Sequence, residues 1–384
     1  MNVIRKYIHL LLEGKPRILN TLCAAFLLII LIAGFWPGDF FPANKVTWLE
    51  ERDGVRFYGQ GIIISADSGQ KLQSSNFSSK SISLELWLRP ALETGNAPSI
   101  LTFYDGKSPD LLAIKQWRSH LVIWSRPEDP TSQKRGKPYS EVGFLKALPK
   151  DQDVFITITS GTEGTAYYFN GQLTKTYPRH RLPTGYLQNN VRLILGNSPS
   201  GESYWTGDIL GMAIFNRALK PDEVLRDYQS WMANDPFSLR QESGLISLYP
   251  FYERKGKTIN NIANQDEMMI IPEVFKPLKR VILAFPGYDF RWNWPFIQDV
   301  LINLLGFIPF GFFFAALLLK FTEGRKLPAY LITSLLGIAV SLLIEFSQSY
   351  LPTRDSSLVD MIMNSAGTIL GVVFFSWLKN TLVK

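Results

Sequence analysis

The placement of long apolar runs restricts the fold of this chain more than any other feature of its sequence. A helix needs about 20 apolar residues to cross a bilayer. Such runs occur at 19–35, 300–319, 329–346 and 358–377, whereas the interior from 48 to 294 has none. The sequence therefore predicts a multi-domain protein, with an α-helical transmembrane bundle of about four spans and one large soluble segment.

The first apolar run has two interpretations. Basic residues precede it, as in the n-region of a secretory signal peptide: Arg5, Lys6, Lys15 and Arg17. However, the run is longer than the roughly 7 to 15 apolar residues of a signal peptide. The sequence after it, GFWPGDFF, also lacks a small-x-small cleavage motif. We therefore favour an uncleaved anchor helix.

Basic residues also select a topology, because Lys and Arg concentrate in short cytoplasmic flanks of membrane helices. They precede the first span, and others follow the second and fourth spans: Lys320, Arg325, Lys326, Lys379 and Lys384. Arg354 is the exception. We expect a bacterial inner-membrane protein with both termini in the cytoplasm and the soluble segment in the periplasm. Trp292, Trp294 and Phe296 would then form an aromatic belt at the outer interface.

Cysteine and histidine usage excludes several kinds of site. The single cysteine, Cys23, lies in the first span, so no intrachain disulfide can form and the soluble segment must rely on its hydrophobic core. The three histidines, His9, His120 and His180, lack metal-ligand spacing. The net charge of +7 lies largely beside the membrane helices and gives no nucleic-acid signature.

The soluble segment has the pattern of an antiparallel β-sandwich. Residues 81–88 (SISLELWL) alternate, which predicts a strand with its leucines inward and Glu85 on the solvated face. In 165–177 (TAYYFNGQLTKTY), the pair Asn170-Gly171 suits a hairpin with a type I′ turn. A short helix is predicted at 221–231 (PDEVLRDYQSW), which opens with Pro221 and two acids.

Three segments of this region resemble the LamG family of concanavalin A-like jelly rolls, over about 46–235: SISLELWLRP, AYYFNGQL and LILGNSPSGESYWTGDILGMAIFNRALKPDEV. The segment LISLYPFYERKGKTINN, from Leu245, is similar to the opening strand of such a domain. It is either an added strand of the same sandwich, which we favour, or a remnant of a second copy. The resemblance also implies a calcium candidate, Asp208, for which the alternative is a turn-stabilising role.

Polar residues recur near the predicted outer ends of the last three spans. Charged groups in membrane helices are costly and usually have a partner or a task. The pairs are spaced three or four residues apart, so each shares a helix face: Asp299 with Asn303, Glu345 with Gln348, and Asp360 with Asn364. Arg354 lies in the loop beside them. We therefore expect these side chains to gather at one level of the membrane.

The same residues resemble the VanZ-like family over about 299–377, through DVLINLLGFIPFGFFF and IEFSQSYLPTRDSSLVDMIMNSAGTILG. The resemblance implies the motif positions Asp299, Asn303, Glu345, Gln348, Arg354, Asp360 and Asn364. It also implies a link with low-level teicoplanin resistance, although this chain departs from the pattern by carrying an ectodomain. Gly367 and Gly371 form a GxxxG motif for close helix packing, and Pro309 is expected to kink the second span.

The predicted domains follow the chain in order: a cytoplasmic N-terminus 1–18, an anchor helix 19–36, the sandwich 46–235, a linker with an extra strand 236–296, a VanZ-like three-helix domain 297–378 and a cytoplasmic tail 379–384.

Three functions fit these features. In the first, which we favour, the sandwich binds a glycan or protein, with Trp117, Trp124 or Trp205 as candidate contacts, and the bundle binds a membrane lipid or lipid-linked envelope precursor. An arginine beside amides suits an oxyanion. The second is a membrane enzyme with Glu345 or Asp360 as base, although no nucleophile is evident. The third is an assembly factor in which Glu345, Arg354 and Asp360 form an internal salt-bridge network.

Overall fold

The computed structural model describes residues 16–66, 80–107, 111–126, 139–184, 191–285 and 294–382. The chain forms two compact units. The sandwich unit is Phe41–Lys279, and the membrane unit combines Met1–Phe40 with Arg280–Lys384. The sandwich is therefore inserted between the first helix and the other helices of one membrane unit. Several residues considered above lie outside the described residues: Arg5, Lys6, His9, Lys15, Trp292 and Lys384.

The described residues of the sandwich unit form two eight-stranded antiparallel sheets. The first sheet contains β1 (Val46–Trp48), β2 (Val55–Tyr58), β4 (Ile82–Pro90), β9 (Val154–Gly161), β10 (Gly164–Phe169), β11 (Gln172–Tyr177), β13 (Thr206–Phe215) and β14 (Leu245–Tyr249). The second contains β3 (Ile63–Ser65), β5 (Ser99–Tyr104), β6 (Leu112–Trp117), β7 (His120–Ser125), β8 (Ser140–Phe144), β12 (Arg192–Leu195), β15 (Thr258–Asn260) and β16 (Met268–Ile270). The predicted antiparallel sandwich is confirmed.

The strand order explains where the core lies. The first sheet runs β1-β2-β13-β4-β9-β10-β11, with β14 also paired to β13, and the second runs β15-β16-β3-β12-β5-β6-β7-β8. Alternate residues of central β4 point into the space between the sheets and are at most 1% exposed: Ile82, Leu84, Leu86 and Leu88. The alternation in the sequence thus identified the inner face of this strand.

Two local predictions agree with the structure. Asn170 and Gly171 join β10 to β11 with φ of +49° and +76°, as a type I′ turn requires at both central positions. The segment beginning at Leu245 forms β14, which pairs with β13 of the same sheet. It is therefore an added strand and not a separate copy.

The expectation that Glu85 is solvated was wrong. Helix α2 (Pro221–Met232) covers the outer face of the first sheet, and Glu85 is 0% exposed beneath it. Trp231 of this helix donates a hydrogen bond from Nε1 to Glu85 Oε2 at 3.1 Å. The sheet is thus buried on both faces here, which strand alternation alone could not reveal. A 3₁₀ turn at Pro236–Gln241 follows α2.

In the part of the membrane unit that the structure describes, four helices are long and apolar enough to span a bilayer. They are α1 (Pro16–Phe35), α3 (Trp294–Phe321), α4 (Lys326–Gln348) and α5 (Leu358–Leu382). Helix α3 is unbroken through Pro309. Length and composition thus identify a membrane protein, as predicted.

Glycines let α3 and α5 approach closely. A Cβ atom at Gly367 would overlap the Leu304 carbonyl oxygen, and one at Gly371 would overlap that of Ile308. In the other direction, a Cβ at Gly311 would overlap the carbonyl oxygen of Thr368. The GxxxG motif therefore serves helix packing.

Candidate functional site

The membrane unit has one basic end and one acidic end. At the basic end, Lys326 Nζ on α4 donates to Asn380 Oδ1 on α5 at 2.8 Å, and Leu19 of α1 packs in the apolar cluster that contains Leu319. At the opposite end, Gln348 Nε2 of α4 donates to the carbonyl oxygen of Gly34 in α1 at 2.8 Å. The seven predicted polar positions belong to this second end, and we refer to them as the rim cluster: Asp299, Asn303, Glu345, Gln348, Arg354, Asp360 and Asn364.

Glu345 anchors the loop between α4 and α5. Its side chain is only 2% exposed, and Oε2 accepts the backbone N–H of Ser357 at 2.7 Å. The Ser356 side chain also hydrogen bonds with this carboxylate. Glu345 is therefore engaged by protein donors and is shielded from solvent.

Asp360 is oriented differently from the acid of an ordinary capping box. Ser357 precedes α5, and its Oγ accepts the Asp360 backbone N–H at 3.3 Å. In a capping box, the acid at this third helical position would accept the N-cap N–H, but Glu345 takes that donor instead. The Asp360 carboxylate hydrogen bonds with the Asn303 side chain on α3 and interacts electrostatically with Asp299. Asp299 itself is exposed.

Two buried side-chain amides share helix faces with these acids: Asn364 with Asp360 on α5, and Gln348 with Glu345 on α4. Asn364, one turn after Asp360, is 3% exposed, and its Nδ2 donates to Ser341 Oγ at 3.1 Å. Its Oδ1 has no hydrogen-bond partner among the described residues, and the same is true of Gln348 Oε1. Each amide therefore uses one of its groups to join helices and leaves an acceptor unsatisfied.

Arg354 is the exposed cation of the cluster. It interacts electrostatically with Glu345 and Asp360, yet it forms no ion pair within 4.0 Å with a described carboxylate. The salt-bridge network expected of a purely structural cluster is therefore not formed among the residues that the structure describes.

Sequence reasoning missed the segment 280–285, which holds the loop in place. Leu283 N–H donates to Ser356 Oγ at 3.0 Å, and Ala284 N–H donates to the Ser356 carbonyl oxygen at 2.8 Å. The Arg280 guanidinium lies 4.2 Å from the ring centre of Tyr350. The sequence signal for the serines was SSLVD, a capping-box pattern before an apolar run, whereas Arg280 carried no such signal.

Aromatic residues of the sandwich unit divide between surface and core. Trp117 and Trp124 are half-buried on the outer face of the second sheet, beside Lys115, whose Nζ lies 4.2 Å from the Trp124 ring centre. Trp205 is 1% exposed and donates from Nε1 to Gln116 Oε1 at 2.6 Å. Trp205 is therefore a core residue and not a ligand contact.

The calcium expectation for Asp208 is not supported by its surroundings. Arg56 donates to both of its carboxylate oxygens, from Nε at 2.7 Å and Nη2 at 2.9 Å, and Arg52 Nη2 lies 3.7 Å away. Two guanidinium groups repel a divalent cation from this place. Among the described residues, no group of three or more His, Cys, Asp or Glu side chains could hold a metal ion.

These features define a membrane protein whose sequence carries an antiparallel β-sandwich between the first helix and the other three helices of a bundle with a polar rim. The VanZ/LLP1 family model matches residues 230–379, and the model of the concanavalin A-like lectin/glucanases superfamily matches residues 65–225. The chain thus joins a VanZ/LLP1 domain to a concanavalin A-like domain, and both predicted resemblances are confirmed. The VanZ/LLP1 match begins inside α2, so its first part lies in the sandwich unit.

No curated protein matches this chain. Solved structures are similar at low levels. A protein of Bacteroides ovatus described as a candidate carbohydrate-binding protein has 12% identity and a TM-score of 0.38, with 62% of each chain covered. The receptor-binding domain of botulinum neurotoxin C/D mosaic serotype has 14% identity and a TM-score of 0.37, covering 49% of this chain and 45% of that one. A pentraxin from Limulus polyphemus has 11% identity and a TM-score of 0.34, covering 50% and 83%.

Proposed function

We propose that this protein is a cell-envelope binding protein whose bundle holds the head group of an amphipathic or lipid-linked molecule at the outer leaflet. The observation that carries the proposal is the state of Arg354, which is exposed and lacks an ion pair with any described carboxylate. A guanidinium presents a planar fork of donors that matches phosphate and carboxylate groups. An arginine left in this state at a helix rim is available to a ligand.

The proposed orientation rests on the two ends of the bundle. Arg17, Lys320, Arg325, Lys326 and Lys379 belong to the end opposite the rim cluster. Because basic flanks favour the cytoplasm, the rim cluster faces outward in this proposal, both termini are cytoplasmic and the sandwich lies in the periplasm. Trp36 and Trp294, which flank this rim and are 71% and 66% exposed, suit the membrane interface.

Catalysis by Glu345 is not favoured by its surroundings. A general base must reach the proton it removes, but Glu345 is buried and already accepts from Ser357 and Ser356. Asp360 is half-buried and more accessible, but the hydroxyl beside it, that of Ser357, already accepts the Asp360 backbone N–H at the start of α5. We therefore place binding ahead of chemistry.

For the sandwich we propose a glycan or protein ligand on the outer face of the second sheet. Trp117 provides a half-exposed ring there, flanked by Arg118 and His120. Trp124 lies on the same face, but its ring stacks on Tyr139 and contacts Lys115, so Trp117 is the better candidate. Aromatic rings with polar neighbours suit the apolar faces and hydroxyl groups of sugars.

Native mass spectrometry of the full-length protein in a mild detergent tests the bundle proposal. We expect a defined lipid or lipid-linked molecule to remain on the wild-type protein and to be lost from Arg354→Ala. Arg325→Ala is the matched control, since it removes an exposed arginine from the opposite end. Equal retention by Arg354→Ala and wild type would remove the basis of the proposal.

The resistance role implied by the VanZ-like resemblance remains a prediction. It is tested by comparing the teicoplanin sensitivity of cells that express the wild-type protein with that of cells expressing Arg354→Ala.

A further inference from the structure

The residues of the rim cluster indicate that its ligand carries a cationic group in addition to an oxyanion. Asp299 has no hydrogen-bond partner among the described residues, and the neighbouring Asp360 carboxylate is bonded only by neutral groups, Asn303 and Ser357. One turn deeper, Asn364 Oδ1 is buried and also lacks a described donor. This side of the cluster therefore offers two carboxylates and one buried amide oxygen as acceptors for a positively charged donor.

A metal ion does not suit these acceptor groups well. Asp299 and Asp360 interact across α3 and α5. The other nearby acid, Glu345, is already engaged by Ser356 and Ser357. Among the described residues, no third acid, histidine or cysteine joins them in a group that could hold a metal ion. A primary ammonium, in contrast, carries three N–H donors and one positive charge, which suits two carboxylates and an amide oxygen.

The other side of the cluster has the opposite character. Arg354 is exposed and has no described ion-pair partner, and Arg280 is an exposed arginine that packs on Tyr350 at the same end of the bundle. Arg354 lies near enough to Asp360 to interact with it electrostatically. The rim thus places the Arg354 guanidinium near two carboxylates, Asp299 and Asp360, that form no ion pair within 4.0 Å with a described cation.

We infer that the rim cluster binds a phospholipid whose head group carries a primary ammonium beside its phosphodiester. The ammonium donates to Asp360 and Asp299, and the phosphate accepts from Arg354. This inference rests on the proposed function and adds the class of head group. An anionic lipid without an amine satisfies only the arginine and meets repulsion from the two acids.

Methylation of the ammonium separates charge from hydrogen bonding. Full-length protein in detergent is mixed with equimolar dioleoyl phosphatidylethanolamine, its N,N-dimethyl derivative, phosphatidylcholine and phosphatidylglycerol, and the retained lipids are measured by native mass spectrometry. We expect at least tenfold preference for the primary amine over phosphatidylcholine and over phosphatidylglycerol. The dimethyl lipid should be intermediate, because it keeps one N–H donor.

Two variants test the acids. Asp360→Asn and Asp299→Asn should each reduce the preference for the primary amine, and Asp299→Asn leaves the cap of α5 untouched because Asp299 lies on α3. Glu323→Gln, which neutralises an exposed acid in the α3–α4 connection, is the control and should leave the preference unchanged. Arg354→Ala should reduce retention of every lipid.

The outcomes distinguish the specificity for a primary amine from the proposed binding of a lipid head group in general. If Arg354→Ala loses all lipids but wild type retains the four equally, or prefers phosphatidylglycerol, the amine specificity is overturned and head-group binding stands. If wild type retains no lipid, both fail. Displacement of the bound lipid by an equal concentration of soluble phosphoethanolamine would assign the site to a soluble ligand and overturn the lipid.

Discussion

Oε2 of Glu345 accepts the backbone N–H of Ser357 at 2.7 Å, so an acid from α4 caps the start of α5. This hydrogen bond takes the donor that Asp360 would otherwise use. It therefore fixes the loop that carries Arg354 and leaves the Asp360 carboxylate to face α3. The two acids have separate tasks, one in positioning and one in the proposed recognition.

Replacement of Glu345 should expose its positioning task. Glu345→Ala leaves buried donors of Ser356 and Ser357 without an acceptor, which costs about 1–3 kcal/mol of stability. Glu345→Gln keeps a side-chain oxygen and should lose less. The measurement is thermal unfolding of the detergent-solubilised protein, with Asp299→Asn as a control that should unfold near the wild-type temperature. Equal stability of Glu345→Ala and wild type would show that the loop does not depend on this contact.

Two glycine substitutions in the bundle should differ sharply. Gly367→Ala places a Cβ atom on the Leu304 carbonyl oxygen, whereas a Cβ at Gly306 meets nothing within 4 Å. Overpacking of this kind costs about 1–3 kcal/mol, so Gly367→Ala should unfold at a lower temperature. Gly306→Ala should be neutral or slightly stabilising. If both variants behave alike, close packing of α3 on α5 is not what the glycine at 367 provides.

The sandwich should become less stable as the pH rises toward neutrality. Burial, and then the charge of Asp227, raise the pKa of Glu85 well above its usual range. Burial and the nearby Glu242 carboxylate raise the pKa of Asp227 to about 7. Because the folded state binds protons that the unfolded state has released, stability is greatest near pH 4 and is lost between about 4 and 7.

The corresponding experiment follows tryptophan fluorescence during thermal unfolding of the full chain. Asp227→Asn should be more stable than wild type at pH 8, by at most about 1.4 kcal/mol for each pH unit of the window, and similar to wild type near pH 4. Asp235→Asn is the control, since Asp235 is exposed in the next turn. A wild-type stability that increases between pH 4 and 7 would contradict the assignment.

The proposed orientation can be tested with one introduced thiol. Cys23 is 3% exposed within the membrane unit, so a cysteine at position 354 should dominate labelling by a membrane-impermeant reagent. Arg354→Cys should react in intact cells from the periplasmic side. Arg325→Cys should react only after the membrane is permeabilised. The reverse pattern would place the rim cluster in the cytoplasm and end the outer-leaflet proposal.

Ligand binding by the sandwich should depend on an outer-face tryptophan. On a glycan array, the full-length Trp117→Ala variant should bind its ligand at least tenfold more weakly than wild type, or not at all. Leu173→Ala, which removes an exposed side chain from β11 of the other sheet, should bind normally. Unchanged glycan binding by Trp117→Ala would exclude this face as the contact surface.

Several features of this protein followed from sequence alone because they depend on local chemistry. Helix length sets whether an apolar run can span a bilayer, and all four predicted spans are helices. Alternation identified the inner face of β4. Asn170-Gly171 specified the turn between β10 and β11, since both residues tolerate positive φ. Spacing also placed the polar pairs on common helix faces.

Other features were decided by contacts between distant parts of the chain. Glu85 is buried because α2, more than 130 residues later in the sequence, covers it. Trp205 packs in the core between the sheets, where Gln116 from another strand accepts its N–H. Helix α1 joins α4 through Gln348 and Gly34, although the whole sandwich separates them in sequence. The hydrogen bond from Ser357 to Glu345 likewise frees Asp360 for α3. A pattern records which face a side chain occupies, but only the folded chain determines what covers that face, because burial and hydrogen bonding depend on neighbours that no local spacing encodes.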